Sequence, residues 1–255
     1  MIWGEGAALW HARAARPGWI TGDLLEDPAG LIRAGRGVQA VLSLAGVVNG
    51  AGDVALNKAL GAAAVEIGAA LGAPVLLASS AAVYGRGSGL LREAAVLAPE
   101  NAYGQAKAEM EAHCAALGAR RGVPVTSLRI GNIAGLDAIL GGWRPGFRLD
   151  RFADGHTPRR SYIGLRTLAE VLHHLSARGG DLPPVLNIAT AQVVEMGALL
   201  DAAGLAWDAQ PAPPEAIAEV ALDVTLLQGV CPIPASAGTP EALVAEWREV
   251  RGGLS

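Results

Sequence analysis

The chain has 255 residues, 51% of them hydrophobic, and a formal net charge of −4 with no basic block, which argues against nucleic acid as its main partner. Its two cysteines, Cys114 and Cys231, make neither a disulfide framework nor a metal cluster, and its five histidines show no ligand spacing, so no metal is expected. The first residues lack the basic and apolar regions of a secretion signal, and the most apolar stretch, 59–78, is broken by Glu66, Gly68, Gly72 and Pro74; both features fit a cytoplasmic protein with no membrane span.

Taken in order, Ala8 to Ala12 and Trp19 to Thr21 read as short strands around a Pro17-Gly18 turn. Pro28 to Ala34 reads as a helix. Gln39 to Ala45 is a continuous apolar run of strand length, which predicts a strand buried on both faces. A glycine-containing loop, 46–52, leads to Asp53, the expected N-cap of a helix reaching about Leu71. Pro74 to Ser79 is the next strand. The long loop 85–99 has the length of a binding loop. A helix from Asn101 to about Arg121 follows, then a strand from Val125 to Ile130 ending at Gly131-Asn132. The stretch 141–160, rich in Gly, Arg and Pro, reads as an irregular lobe. A helix over 165–177, a strand over 185–189, a helix over 194–203, a linker over 211–214 and a final helix over 241–250 complete the chain.

Strands alternating with helices imply an α/β fold with a doubly wound parallel sheet. Residues 1–135 read as the core, and 136–255 as a mixed segment holding a small C-terminal substrate lobe and late core elements. Ligands of such sheets bind beyond the carboxyl ends of the strands. Asp23, Ala45-Gly46, Ser79-Ser80 and Gly131-Asn132 all fall at such ends.

The chemistry concentrates in Ser79-Ser80-Ala81-Ala82-Val83-Tyr84-Gly85 and Tyr103-Gly104-Gln105-Ala106-Lys107. Residues four apart share a helix face, so Tyr103 and Lys107 can act on one small volume. A hydroxyl, a phenol and an ammonium beyond a strand end suit proton transfer at an alcohol or carbonyl oxygen. Taken singly, Tyr103 could be a packing ring, Lys107 a solvated lysine and the serines turn formers.

Together these motifs resemble the extended short-chain dehydrogenase/reductase family, the NAD-dependent epimerase/dehydratase group. Gly22-Asp23-Leu24, Leu44-Ala45-Gly46, Asn57, Leu128-Arg129-Ile130-Gly131-Asn132 and Leu186-Asn187-Ile188 extend the resemblance to the C-terminus. It implies a Rossmann-like fold and an NAD(P)-dependent oxidoreductase or epimerase, with Tyr103 as general acid/base. Lys107 and an oxidised nicotinamide would lower the Tyr103 pKa, and Ser80 would hold the reacting oxygen. Arg13, Asp23, Leu24, Ala45, Gly46, Asn57, Tyr103 and Lys107 would contact the cofactor. Ser80, Tyr84, Asn132 and Arg160 would face the substrate, a hydroxyl- or carbonyl-bearing small molecule such as a nucleotide sugar. Tyr84 is expected to divide between packing and substrate lining. A homodimer through the helices carrying Asn57 and Tyr103 fits their Ala/Gly-rich faces.

The sequence departs from the family's pattern in three places. The first strand and its GxxGxxG loop are missing from it, so the start at Met1 is expected to be internal to a longer reading frame or to mark a truncated form. Arg13 and Arg16 follow the second strand with no acid for the ribose hydroxyls, which leans toward NADP over NAD. Gly164 and Arg166 stand where the family commonly has a polar and an acidic residue. The rival readings are a ketone or aldehyde reductase and a non-catalytic binding or sensor protein.

Overall fold

The structure, a computed structural model, describes residues 3, 4, 6–48, 50, 52–87 and 89–253. The expectations for Met1, Ile2 and Glu5, and for Asn49, Ala51 and Ser88 in their loops, lie outside the described residues.

The elements run β1 (His11–Ala12), β2 (Ile20–Thr21), α1 (Ala29–Ala34), β3 (Val41–Ser43), α2 (Leu56–Leu71), β4 (Val75–Ser80), β5 (Leu90–Leu91), α3 (Ala102–Arg121), β6 (Val125–Ile130) and β7 (Asn132–Ile133). They continue with β8 (Arg148–Arg151), β9 (Arg159–Ile163), α4 (Leu165–Arg178), β10 (Val185–Ile188), β11 (Val193–Glu195), α5 (Met196–Ala203), β12 (Asp208–Pro211), β13 (Glu219–Leu222), α6 (Thr225–Val230) and α7 (Pro240–Gly253). The chain forms two compact units: 1–83 with 99–129 and 172–186, and 84–98 with 130–171 and 187–255. Both units draw on segments from either side of residue 135.

The first unit is organised by a sheet of order β10-β6-β4-β3, in which β3 and β4 are parallel. A separate two-stranded sheet pairs β1 with β2, also in parallel. Helices α2 and α3 pack together over Val75 and Leu77 of β4, burying Ala64, Val65, Met110, Cys114 and Leu117. Each fully buried side chain of Val or Leu size contributes about 1.5–3 kcal/mol.

The caps of α3 explain its clean boundaries. Asn101 is extended, and its Oδ1 accepts from Gly104 N at 2.8 Å. Gly122 closes the helix in the left-handed region, after Arg120 and Arg121 in the last turn.

Two expectations for the first unit need correction. The strand over 39–45 is shorter, and it is not buried on both faces. Every residue of β3 is only partly buried and Leu44 is 53% exposed, because among the described residues β3 is the sheet's edge and pairs with β4 alone. Asp53 is not the N-cap of α2: the helix starts at Leu56, and Asp53 Oδ1 accepts from Ala55 N at 2.9 Å to shape the turn before it.

The second unit contains a sheet of order β11-β9-β13-β5, with β7 also on β9, and a parallel β8–β12 pair. Within it only β11 runs antiparallel to its neighbour β9 among the described pairings. The stretch 141–160, expected to be irregular, contains β8 and the start of β9. The loop 85–99 carries β5, and Pro211 of the expected linker closes β12. These strands have two to five residues and take their stability from partners distant in sequence.

Candidate active site

Strand β4 delivers Ser79 and Ser80 at its carboxyl end, and a short 3-10 turn, Ala81–Val83, follows at once. Ser80 Oγ accepts from Ala82 N at 3.2 Å, which fixes the hydroxyl at the start of the turn. The N-terminus of α3 comes against this turn because residue 104 has no side chain. A Cβ there would lie 2.4 Å from Ala82 O. Gly104 thus lets its neighbour Tyr103 approach Ser80, whose hydroxyl acts to lower the Tyr103 pKa.

Lys107, one turn further along α3, is 3% exposed and donates to Ala78 O at 2.8 Å. Its Nζ lies 5.9 Å from the Tyr103 ring centroid. Burial pulls the Lys107 pKa down to about 8, against the opposing pull of Glu111 and, less, of Cys114. Burial raises the Tyr103 pKa, and the Ser80 hydrogen bond opposes it. The protein's own side chains thus leave a net rise in place of the lowering expected for Tyr103.

Asn57, 0% exposed, anchors the loop after β3. Its Oδ1 accepts from Val47 N at 3.1 Å, and its Nδ2 donates to Val47 O at 2.8 Å and Val54 O at 2.9 Å. Gly46 sits beside it. A Cβ on Gly46 would come 2.9 Å from Asn57 Oδ1 and 3.2 Å from Lys107 Nζ. The structure therefore brings Gly46, Asn57, Ser80, Tyr103 and Lys107 together within the first unit.

Ala45 is exposed beside Gly46. Asp23 Oδ1 accepts from Leu25 N at 2.8 Å and organises the turn containing Leu24. Arg13 is exposed, and the Arg16 guanidinium lies over the Trp19 ring at 5.2 Å.

The expected substrate residues of the second unit are engaged internally. Tyr84 is 2% exposed and donates its hydroxyl to Asn187 Oδ1 at 2.7 Å, so of its two expected roles the structure describes packing. Arg160 donates to the carbonyls of Arg159 at 2.7 Å, Ile217 at 2.9 Å and Ala218 at 3.4 Å, and burial lowers its pKa. Asn132 pairs with Tyr162 across β7 and β9, and the Tyr162 hydroxyl donates to Asp137 Oδ2 at 2.7 Å. Burial raises the pKa of both Tyr162 and Asp137; the Asp137 rise is opposed by its hydrogen bonds from Tyr162 and from backbone amides.

Three residues beside the site escaped the sequence reading. Gly104 lies inside the motif. Glu111 lies four residues beyond Lys107 on the same helix face, and Arg129 is the one charge in the otherwise apolar or small-polar run of β6. A charge in a buried strand needs a partner, and that was the available signal.

Among the described residues no helix is long and apolar enough to cross a membrane, and no group of side chains could hold a metal ion. No match is found among curated proteins. Several solved structures share the fold. MoeE5 in complex with UDP-glucose and NAD has a TM-score of 0.74 at 22% identity, over 96% of this chain and 90% of that one. A UDP-galactose 4-epimerase gives 0.72 at 20%, over 94% and 86%. DesIV, a dTDP-glucose 4,6-dehydratase from Streptomyces venezuelae solved with NAD and TYD bound, gives 0.69 at 21%, over 93% and 82%. At these identities the likeness establishes the fold, an α/β Rossmann-like arrangement. The sequence profile of the NAD-dependent epimerase/dehydratase family matches residues 11–141, more than half of the 255. The chain belongs to that family.

Proposed function

We propose that this chain is an NAD-dependent enzyme that epimerises or dehydrates a nucleoside-diphosphate sugar, with Ser80, Tyr103 and Lys107 as its catalytic residues. The observation that carries the reading is the meeting of Ser80 and Tyr103 beside a buried ammonium, at the carboxyl end of a parallel strand. Family membership and the nucleotide-sugar enzymes among the solved structures of the same fold supply the substrate class.

The residues present fit the nicotinamide end of the cofactor. Lys107 has three N–H donors and spends one on Ala78 O, which leaves two for ribose hydroxyls. Gly46 keeps the backbone bare where a Cβ would reach Lys107 Nζ, so a ligand can approach the ammonium over it. Asn57 holds that loop in place. Ala45, Asp23, Leu24 and Arg13 are the further candidate contacts, and Arg13 with Arg16 would favour a 2′-phosphate. When bound, the oxidised nicotinamide supplies a hydride acceptor and a positive charge.

Ser80 orients the substrate hydroxyl by hydrogen bonding. Tyr103 takes the hydroxyl proton as phenolate and returns it to the carbonyl oxygen in the reverse step. Lys107 stabilises the phenolate electrostatically and positions the ribose. Asn132 and Arg160 are the second unit's candidates for the sugar nucleotide.

The test is turnover of UDP- and dTDP-sugars with NAD⁺, followed by NMR of the sugar products, for the wild type and for Tyr103→Phe. Conversion by the wild type and its loss by at least about a hundredfold in Tyr103→Phe is expected, since general acid–base catalysis contributes about 10²–10⁴-fold. Unchanged conversion by Tyr103→Phe overturns the assignment.

A further inference from the structure

Behind the catalytic residues lies a buried polar cluster that takes no part in the proton transfer described above. Ser79, Glu111 and Arg129 are 4%, 6% and 4% exposed. Arg129 Nε donates to both Glu111 oxygens at 3.1 Å, and its Nη2 donates to Oε2 at 2.7 Å. Ser79 Oγ donates to Glu111 Oε1. Three elements, β4, α3 and β6, therefore meet on one carboxylate.

Desolvation makes such a pair a poor source of stability; apolar residues of similar volume often serve as well. Its geometry has a clearer consequence. Ser79 precedes Ser80 on β4, and Glu111 lies four residues beyond Lys107 and eight beyond Tyr103 on α3. At 1.5 Å of rise per residue, a small axial slip of α3 would carry Tyr103 away from Ser80. A fork of hydrogen bonds on Glu111 resists that slip, because a bidentate guanidinium–carboxylate pair has a demanding geometry.

We propose that Ser79, Glu111 and Arg129 are positioning residues that lock α3 on β4 and β6, and thereby hold Ser80, Tyr103 and Lys107 in catalytic register. This rests on the reading of Tyr103 and Lys107 as the catalytic pair. Glu111 also acts on Lys107 electrostatically: its charge opposes the effect of burial on the ammonium. The other groups facing Lys107 are Tyr103 and Cys114 on α3, Asn57 on α2 and the backbone of Gly46 and Ala78.

The chain has two lysines, Lys58 and Lys107, so protein labelled with ¹³C,¹⁵N-lysine reports the Lys107 titration directly, whether or not the enzyme turns over. The variant is Glu111→Leu with Arg129→Met, which removes both charges together and takes from the Ser79 hydroxyl its carboxylate acceptor. Its far-ultraviolet circular dichroism and cooperative melting establish that it folds. We expect the Lys107 midpoint to fall by at least about half a pH unit. We expect kcat to fall at least about tenfold with the cofactor KM little changed, since register affects the transition state more than binding. Arg129→Lys, which keeps the charge but not the fork, should hold the Lys107 midpoint near that of the wild type while kcat falls.

A double variant whose Lys107 midpoint and kcat both match the wild type overturns the proposal. So does a fall in kcat that the cofactor KM fully accounts for. If the wild type shows no turnover at all, the Lys107 midpoint decides alone: a fall supports the positioning set and an unchanged value refutes it, while the failure of turnover counts against the catalytic reading.

Discussion

Replacing Lys107 by methionine should abolish activity and stabilise the fold. The side chain is 3% exposed, and its pKa drops from 10.5 to about 8, chiefly through burial. At about 1.4 kcal/mol per unit the drop corresponds to a penalty of about 3 kcal/mol. Methionine fills a similar volume without charge. The substitution also gives up the hydrogen bond to Ala78 O, worth about 1 kcal/mol. The expected net gain at neutral pH is therefore of order 2 kcal/mol.

The pH dependence is the sharper signature. A base whose folded pKa lies below its unfolded value destabilises the fold fully while the pH is below the folded pKa. The penalty fades as pH rises from about 8 to 10.5 and is gone above that. The advantage of Lys107→Met over the wild type should shrink through that window and reverse at its top, where only the lost hydrogen bond remains. Urea unfolding at several pH values reads the difference, and subtracting the two proteins removes the other titrating groups. A variant less stable than the wild type at neutral pH, or a difference that does not change with pH, refutes the reasoning.

Gly46→Ala should place a methyl 2.9 Å from Asn57 Oδ1 and 3.2 Å from Lys107 Nζ; cofactor KM measured in steady state should rise several-fold, with stability falling by about 1–3 kcal/mol. Tyr162→Phe removes the side-chain donor to the buried Asp137 and should cost about 1–3 kcal/mol at neutral pH in chemical denaturation. That cost should lessen as pH falls through the raised Asp137 pKa, because a protonated carboxyl needs the donor less. Comparing kcat/KM for NAD and NADP tests the 2′-phosphate reading of Arg13: Arg13→Ala should lower NADP efficiency more than NAD efficiency, and equal losses would remove it.

Much of the first unit was legible because its signals are local. The caps of α3, Asn101 and Gly122, sit where the sequence places its ends, and the strands read over 74–79 and 125–130 form over 75–80 and 125–130. The spacing of Tyr103 and Lys107 gave their shared face. What the sequence could not reveal depends on distant partners. Burial of β3 depends on whether a strand covers its outer edge. The short strands β8, β12 and β13 exist through pairing, with Asp208 opposite Arg148 and Glu219 opposite Arg159. Arg160 reads in the sequence as a substrate contact, and only the fold shows that its guanidinium donates to three backbone carbonyls. The rise in the Tyr103 pKa is a balance of burial against one hydrogen bond, and spacing carries no measure of burial.

The central claim is that Tyr103 moves a proton while hydride passes between substrate and NAD. Rapid mixing of the protein with NAD⁺ and a nucleotide sugar, watched in the reduced-nicotinamide absorbance band, tests it most directly. The account predicts a transient rise for the wild type and none for Tyr103→Phe. A rise of equal size and rate in Tyr103→Phe would contradict it.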